Sequence, residues 1–258
     1  MSAERRSRHI ASIGKAFTAL NIIAERLGIT TAKDLSVIMK MPLPTTYHLL
    51  NTLLAEGVLV RGERQGYLLG PRIGAFSDFY FEQGEPVATL EEPLRALAAR
   101  TGESVYLSGW RHGDIEVVAS AEGKHAVLVA QLQRGAHGNA NARASGKVLL
   151  AFARPGLRAD YLRNHAFTRF TEKTITDPEL FKAELEIVKE RGFAFDLEEF
   201  AGDVCCVSAP ILSAGHILGA YTVSSPSSRF AGARESIVEA LLAACRDAES
   251  TIVAQQQH

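Results

Sequence analysis

The sequence predicts an α+β protein in two parts, an N-terminal winged helix-turn-helix and a larger C-terminal α/β domain of the GAF/PAS-like kind, with an antiparallel sheet flanked by helices. Three observations predict it. Within the first 70 residues, three short helical periods run into a hairpin pattern. Beyond residue 85, strand-like runs and amphipathic helical periods are separated by tight polar turns. Charge also divides along the chain: residues 1–75 hold ten Lys/Arg against five Asp/Glu, whereas the rest hold 18 against 24. The expected boundaries are 9–70 for the head, 71–85 for a linking helix and 86–254 for the larger domain.

The first helix is expected over 12–26, with Ile13, Phe17, Leu20, Ile23 and Ala24 on one stripe, Ser12 as N-cap and Gly28 as stop. A short second helix over 32–39 has Thr31 as cap and Leu35 and Ile38 inward. The third follows Met41-Pro42-Leu43-Pro44, where Pro44 suits a first turn because its missing N–H costs nothing there. It repeats Tyr47, Leu50, Leu53 and Leu54 and ends at Gly57. The period then changes to a strand over 58–61, a turn over 62–66 and a returning strand over 67–69.

This order is that of a winged helix-turn-helix. A helix about 10–12 Å across fits the major groove of B-DNA, and wing arginines reach the phosphates beside it. The third helix offers Thr45, Thr46, His48, Asn51 and Thr52 on its polar face. The expected DNA-contacting set is Thr31, Leu43, Thr45, Thr46, His48, Asn51, Arg61 and Arg64. The basic surplus of the head agrees with a polyanionic partner.

The linking helix, expected over 71–84, carries an apolar stripe of Ile73, Phe76, Phe79 and Tyr80 that needs a partner and points to self-association. A helix over 86–100 follows, then strands over 104–110, 115–119 and 126–132. Helices are expected over 145–152 and 157–164. Thr176 and Glu179 have the spacing of a capping box for a helix that ends at Gly192. Strands over 204–210 and 217–224 are joined by a turn at 213–216, and a last helix over 234–252 buries Ile237, Val238, Leu241, Leu242 and Cys245. In this domain Tyr106, Val127, Val129 and Leu132 offer an apolar wall, while Thr222 and Ser224, two apart on a strand, share a face.

At 47% hydrophobic and 22% charged, the 258-residue chain has the composition of an ordinary globular protein. No signal peptide or membrane span is expected, since charges interrupt the opening residues and no run reaches about 18 apolar residues. Cys205, Cys206 and Cys245 are too few for a disulfide framework, which agrees with a reduced, cytoplasmic protein without a membrane partner.

Enzymatic motifs fail on inspection. Ser145-Gly146-Lys147 lacks the first glycine of a phosphate loop, which is Asn141 here, and Val148 follows the lysine. There is no nucleophile elbow and no zinc-ligand spacing. Adjacent strand positions send Cys205 and Cys206 to opposite faces. Asp196, Glu198 and Glu199 form an acidic cluster in which the first two share a face if the segment is extended. No catalytic residue, metal or cofactor is expected. The competing reading is an enzyme, or a ligand-binding module whose head mediates protein contacts.

Several stretches resemble the IclR family of bacterial transcription regulators. They are Pro42 through Leu49-Leu50-Asn51-Thr52-Leu53 to Gly57, the wing end Gly66-Tyr67-Leu68-Leu69-Gly70, and Ala144-Ser145-Gly146-Lys147-Val148-Leu149-Leu150-Ala151. Phe170-Thr171, Thr174-Ile175-Thr176 and Arg191-Gly192-Phe193 with Asp196, Glu198 and Glu199 extend the likeness to Cys206-Val207-Ser208-Ala209-Pro210 and Ser224-Ser225-Pro226. The resemblance implies a regulator, expected here to be a repressor of a catabolic operon, that binds palindromic operator DNA as a homodimer or homotetramer. It also implies an effector-sensing C-terminal domain whose cavity is lined by Arg143, Ala144, Ser145, Asp196, Cys206, Thr222 and Ser224. Relatives commonly have Pro and His where this chain has Asn139 and Asn141, many have Ser or Thr at Arg143, and an arginine is usual at His48. The guanidinium of Arg143 and the helix that follows it suit an anion, so the expected effector is a small carboxylate, aromatic members such as hydroxybenzoates included, against a wall of Tyr106, Val127 and Val129.

Overall fold

A computed structural model of the protein describes residues 10–26, 28–62, 65–82, 87–111, 113–125 and 134–255. The chain divides into two compact units, Met1–Glu85 and Pro86–His258. The first holds helices α1 (Ala11–Glu25), α2 (Ala32–Ile38) and α3 (Leu43–Ala55), the wing strands β1 (Leu59–Arg61) and β2 (Tyr67–Leu69), and helix α4 (Pro71–Glu82). Its core gathers Ala19, Ile23, Leu35, Leu50, Leu59 and Tyr67.

Local chemistry sets the head's joints. Thr31 caps α2 through the Asp34 amide, and the Asp34 carboxylate returns a bond to the Thr31 amide at 2.8 Å, so two orphan donors are satisfied together. The wing closes on the exit of α3 through two glycines. The Gly70 amide donates to Val58 O at 2.8 Å, and a Cβ on Gly70 would lie 2.3 Å from Gly57 O.

Three expectations for the head are corrected. Ser12 lies inside α1, whose N-cap is Ile10 without a side-chain bond. The core-facing side of α1 is Ala16, Ala19, Leu20 and Ile23, while Ile13 and Phe17 are 53% and 64% exposed. Ile38 is exposed as well, at the last turn of α2.

The second unit begins with α5 (Val87–Thr101), β3 (Ser104–Arg111) and β4 (Asp114–Ala121). Helices α6 (Ala144–Ala151), α7 (Pro155–Asn164) and α8 (Pro178–Arg191) follow, then β5 (Ala194–Leu197), β6 (Val204–Ser213), β7 (His216–Pro226) and α9 (Ser227–Gln255). The strands form one antiparallel sheet in the order β4-β3-β7-β6-β5. One face buries Leu94, Leu97, Val207, Tyr221, Val223 and Leu241 with α5 and α9, and the other buries Val148, Leu149, Phe181, Leu185 and Cys206 with α6 and α8.

The strand expected over 126–132 lies outside the described residues, and β5 is a strand the periodicity did not reveal. The capping residue of α8 is Asp177, not Thr176: its carboxylate accepts the Glu179 and Leu180 amides at 2.8 and 2.9 Å, and the Thr176 hydroxyl instead accepts from Arg169. The last helix starts at Ser227, earlier than its apolar period shows. No helix among the described residues is long and apolar enough to cross a membrane.

Candidate functional site

The head presents α3 as a surface. Thr45, His48 and Asn51 lie on its exposed side, together with Tyr47, which is 42% exposed. Thr46 is fully buried and its hydroxyl donates to Pro42 O at 3.1 Å, so it is withdrawn from the outer face. That corrects its place in the expected contact set and brings Tyr47 in. A hydroxyl returned to its own helix four residues back can be buried without an orphan polar group. Thr52 spends its hydroxyl the same way, on His48 O at 2.9 Å.

The other expected contacts stand apart from this face. Thr31 is engaged with Asp34, and Leu43 is partly buried against the head's core. Arg61 is exposed at the base of the wing, its guanidinium 4.6 Å from the centre of the Tyr67 ring and bonded to the Tyr67 hydroxyl at 2.8 Å. Arg64 lies outside the described residues. Phe76 on α4 is 53% exposed, while the side chains of Phe79 and Tyr80 are outside the described set.

In the second unit, strand alternation builds a cavity. Even-numbered side chains of β3, β5, β6 and β7 face α6: Tyr106, Ser108, Asp196, Cys206 and Thr222. Their odd neighbours Val105, Leu107, Phe195, Cys205, Val207, Tyr221 and Val223 pack into the core on the α9 side. The even set thus leaves a mostly polar surface beneath α6, and a small cavity of about 10 Å³ remains between them, lined also by Arg143, Ala144, Ser145 and Phe200. Seven of the ten expected ligand-site residues line it: Tyr106, Arg143, Ala144, Ser145, Asp196, Cys206 and Thr222. Ser224 lies opposite Cys206 in the β6–β7 register, outside the immediate lining, and Val127 and Val129 fall outside the described residues.

Arg143 is the N-cap residue of α6 and is 4% exposed. It donates to Gly138 O at 3.2 Å, its guanidinium lies 6.0 Å from the Phe200 ring centre, and its Nε has no hydrogen-bond partner among the described residues. Among the described residues it forms no ion pair with a carboxylate, and burial pulls its pKa below the ordinary arginine value, against the opposing fields of Cys206, Tyr161, Asp114 and Asp196. A buried cation so placed is costly until it is neutralised. Ser108 Oγ is likewise buried without a partner among the described residues.

Asp196 is 3% exposed and accepts the Glu199 and Phe200 amides at 2.7 and 3.2 Å. Burial, followed by the Glu199 charge, raises its pKa to about 7 in spite of those bonds and of Lys147. Cys206, paired with Asp196 across the sheet, is pushed well above the ordinary thiol value by burial and by the Asp196 charge. Thr222 donates its hydroxyl to Ser208 Oγ at 2.9 Å and is left as an acceptor. The acidic cluster does not share a face: Glu198 turns at φ 64° and bonds Lys173, Ser227 and the Asp203 amide, while Glu199 pairs with Lys147 at 2.5 Å.

The two walls of the cavity are strapped together by residues 168–175. Asn141 Nδ2 donates to Thr168 O and Ile175 O at 3.0 and 2.9 Å. From the same segment Thr171 and Thr174 donate to Glu198 O and Glu199 O at 2.7 and 2.6 Å. Asn141 adjoins the Arg143 wall, and Glu199 adjoins Phe200 on the other. Of the residues missed in the sequence, Ser108 follows Tyr106 by two on the same strand, a period that points to it; Phe200 has no such signal, because the chain turns at Glu198.

Comparison with known proteins gives concordant matches. Residues 83–250 match the model of the bacterial transcriptional regulator IclR C-terminal domain, and residues 12–63 match the IclR helix-turn-helix domain. The chain is 31% identical over 241 residues to the HTH-type transcriptional regulator BhcR of Paracoccus denitrificans, covering 92% of this chain and 86% of that protein. The crystal structure of the Thermotoga maritima IclR superposes with a TM-score of 0.61 at 24% identity, covering 94% of this chain and 98% of that one. An IclR homolog of Microbacterium hydrocarbonoxydans, crystallised with 4-hydroxybenzoate, has a TM-score of 0.61 at 22% identity, covering 95% of this chain and 99% of that one.

Proposed function

Since the chain belongs to the IclR family of bacterial transcriptional regulators, we propose that it is a cytoplasmic repressor of a catabolic operon, released or retained on its operator by a small monocarboxylate. Arg143 carries this reading. It is a buried guanidinium, without a carboxylate partner among the described residues, at the wall of a small cavity. Members of the family are DNA-binding transcription regulators rather than enzymes.

The proposed effector places its carboxylate against Arg143 Nε and the first amides of α6, whose partial positive charge favours an anion. Asp196 faces the ligand from another wall, where it favours a hydroxyl or other donor and opposes a second negative charge. At about 10 Å³ the cavity as it stands has room for about one water, so the acid must be small and must part the lining to enter. The 4-hydroxybenzoate held by the Microbacterium homolog has this pairing of carboxylate and hydroxyl, which supports an aromatic member of the class.

Calorimetry tests this directly. A hydroxybenzoate or similar monocarboxylate should bind more tightly than its amide, and Arg143→Ala should lose about 1.5–3 kcal/mol of that binding, the range for hydrogen bonds to charged groups. Acid and amide bound equally well would sink the carboxylate reading.

For the DNA half, we place α3 in the major groove of a palindromic site, read by Thr45, Tyr47, His48 and Asn51, with Arg61 and Arg64 toward the backbone. The exposed Phe76 on α4 serves as part of a seam between copies in a dimer, or in a dimer of dimers. His48→Ala should weaken specific binding by about 1–3 kcal/mol, whereas Thr46→Val should leave it unchanged because that side chain is buried. Fluorescence anisotropy on operator and scrambled DNA checks both, and a strong loss confined to Thr46→Val would move the reading face. Phe76→Asp should shift sedimentation toward monomer; an unaltered assembly would remove Phe76 from the seam.

A further inference from the structure

On the opposite face of the sheet from the cavity, an open groove of about 610 Å³ runs between the start of β5 and α9. Two guanidiniums converge in it on one ring: Arg234 lies 4.1 Å and Arg191 5.0 Å from the centre of Phe195. Their carbons are therefore no more than about 9 Å apart. Arg191 uses its Nε on Phe193 O at 2.9 Å and approaches Glu184 only to 3.8 Å. The side chain of Arg234 forms no hydrogen bond or ion pair among the described residues, and its charge adds a little to burial in lowering the Arg191 pKa, against Glu184. Like charges held this close on an aromatic face, with little to neutralise them, call for an anion between them.

The rest of the groove sets the size of that charge and the shape of what carries it. Arg191, Arg234 and Arg246 face Glu235 and Glu239, leaving one net positive charge. Phe193, Val238 and Leu242, all partly buried, supply an apolar floor. We propose that this groove is a second ligand site, taking a small monoanion with an apolar body, such as an aliphatic carboxylate. Its head lies between Arg191 and Arg234, and its body on Phe193, Val238 and Leu242. The arginines exclude a cation, and the two glutamates discriminate against polyanions.

The site lies one residue from the effector cavity. Phe195 points to the groove side and Asp196, the next residue on β5, to the cavity. The carbonyl of Phe195 also accepts a bond from Lys147 on α6 at 3.0 Å. A ligand that fixes both arginines over Phe195 therefore bears on the strand that forms one wall of the other site.

The test is titration of octanoate into isotope-labelled full-length protein carrying Arg143→Ala, which separates this site from any carboxylate binding at Arg143. Saturable amide shifts are expected over residues 191–195 and 234–246, with no response to octanamide. Adding Arg234→Gln, a change at an exposed helix position, should weaken binding at least about ten-fold by calorimetry. Absent shifts, shifts centred elsewhere, an equal response to octanamide, or an affinity indifferent to Arg234→Gln would each overturn the proposal. Shifts over the same residues that follow protein concentration instead of octanoate would overturn it too, assigning the groove to a second copy of the chain.

Discussion

Lys147→Met should destabilise the C-terminal unit by about 3–5 kcal/mol, the usual cost of removing one partner from a buried ion pair. Lys147 is 1% exposed, and its ammonium donates to Glu199 at 2.5 Å and to Phe195 O at 3.0 Å. Without it the Glu199 carboxylate is left enclosed, with its second oxygen already lacking a partner among the described residues. Burial raises the Glu199 pKa and Lys147 opposes that rise, so the loss should shrink in acid, where the carboxyl is neutral. Adding Glu199→Leu should restore much of the stability, because an apolar pair of similar volume often replaces a buried ion pair without loss. Chemical denaturation of the single and double variants measures both effects. A single variant as stable as the parent would show that the pair carries no weight in the fold.

A second large effect is expected from pH. Asp196 titrates at about 7 in the folded protein, against an ordinary value of 3.8, chiefly because burial disfavours its charge. The folded state therefore holds this proton more tightly than the unfolded chain. The associated stability is complete below about pH 4 and is lost as pH rises to about 7. About three pKa units at 1.36 kcal/mol each correspond to about 4 kcal/mol. Asp196→Asn should remove this slope while keeping an oxygen for the Glu199 and Phe200 amides. The difference in unfolding free energy between parent and Asp196→Asn, followed from pH 4 to pH 8, isolates it. Parallel curves would place the Asp196 pKa back in the ordinary carboxylate range.

Much of this architecture is legible from periodicity, but its phase is less so. In α3 the apolar pattern points inward at Tyr47, whereas the fold buries Thr46 with Leu50 and Leu53 and exposes Tyr47. Hydrophobicity cannot anticipate that a threonine will satisfy its hydroxyl on Pro42 O and become a core residue. In α1 the two small residues Ala16 and Ala19 face the core in place of Ile13 and Phe17, because close approach of the helix decides the buried side. The cavity was easier: Arg143, Asp196, Cys206 and Thr222 follow from the family resemblance, and strand alternation separates Cys206 from Cys205. Phe200 and the Arg191–Phe195–Arg234 arrangement depend on how distant segments meet, and no local spacing reports that.

All eight residues of α6 are buried, yet Arg143, the residue that opens the helix, gives it no side-chain cap bond. These two facts set unequal tolerances. Any change of volume within 144–151 is felt by the packing on every side, and at Gly146 even a methyl group would meet Ala140 Cα at 2.3 Å. Position 143 gives the helix no side-chain cap, so an exchange there leaves that start in place while it changes the charge offered to the cavity. Ligand preference in this architecture can thus evolve by exchange at the lip of a tightly packed shelf, at the cost of one bond to Gly138 O.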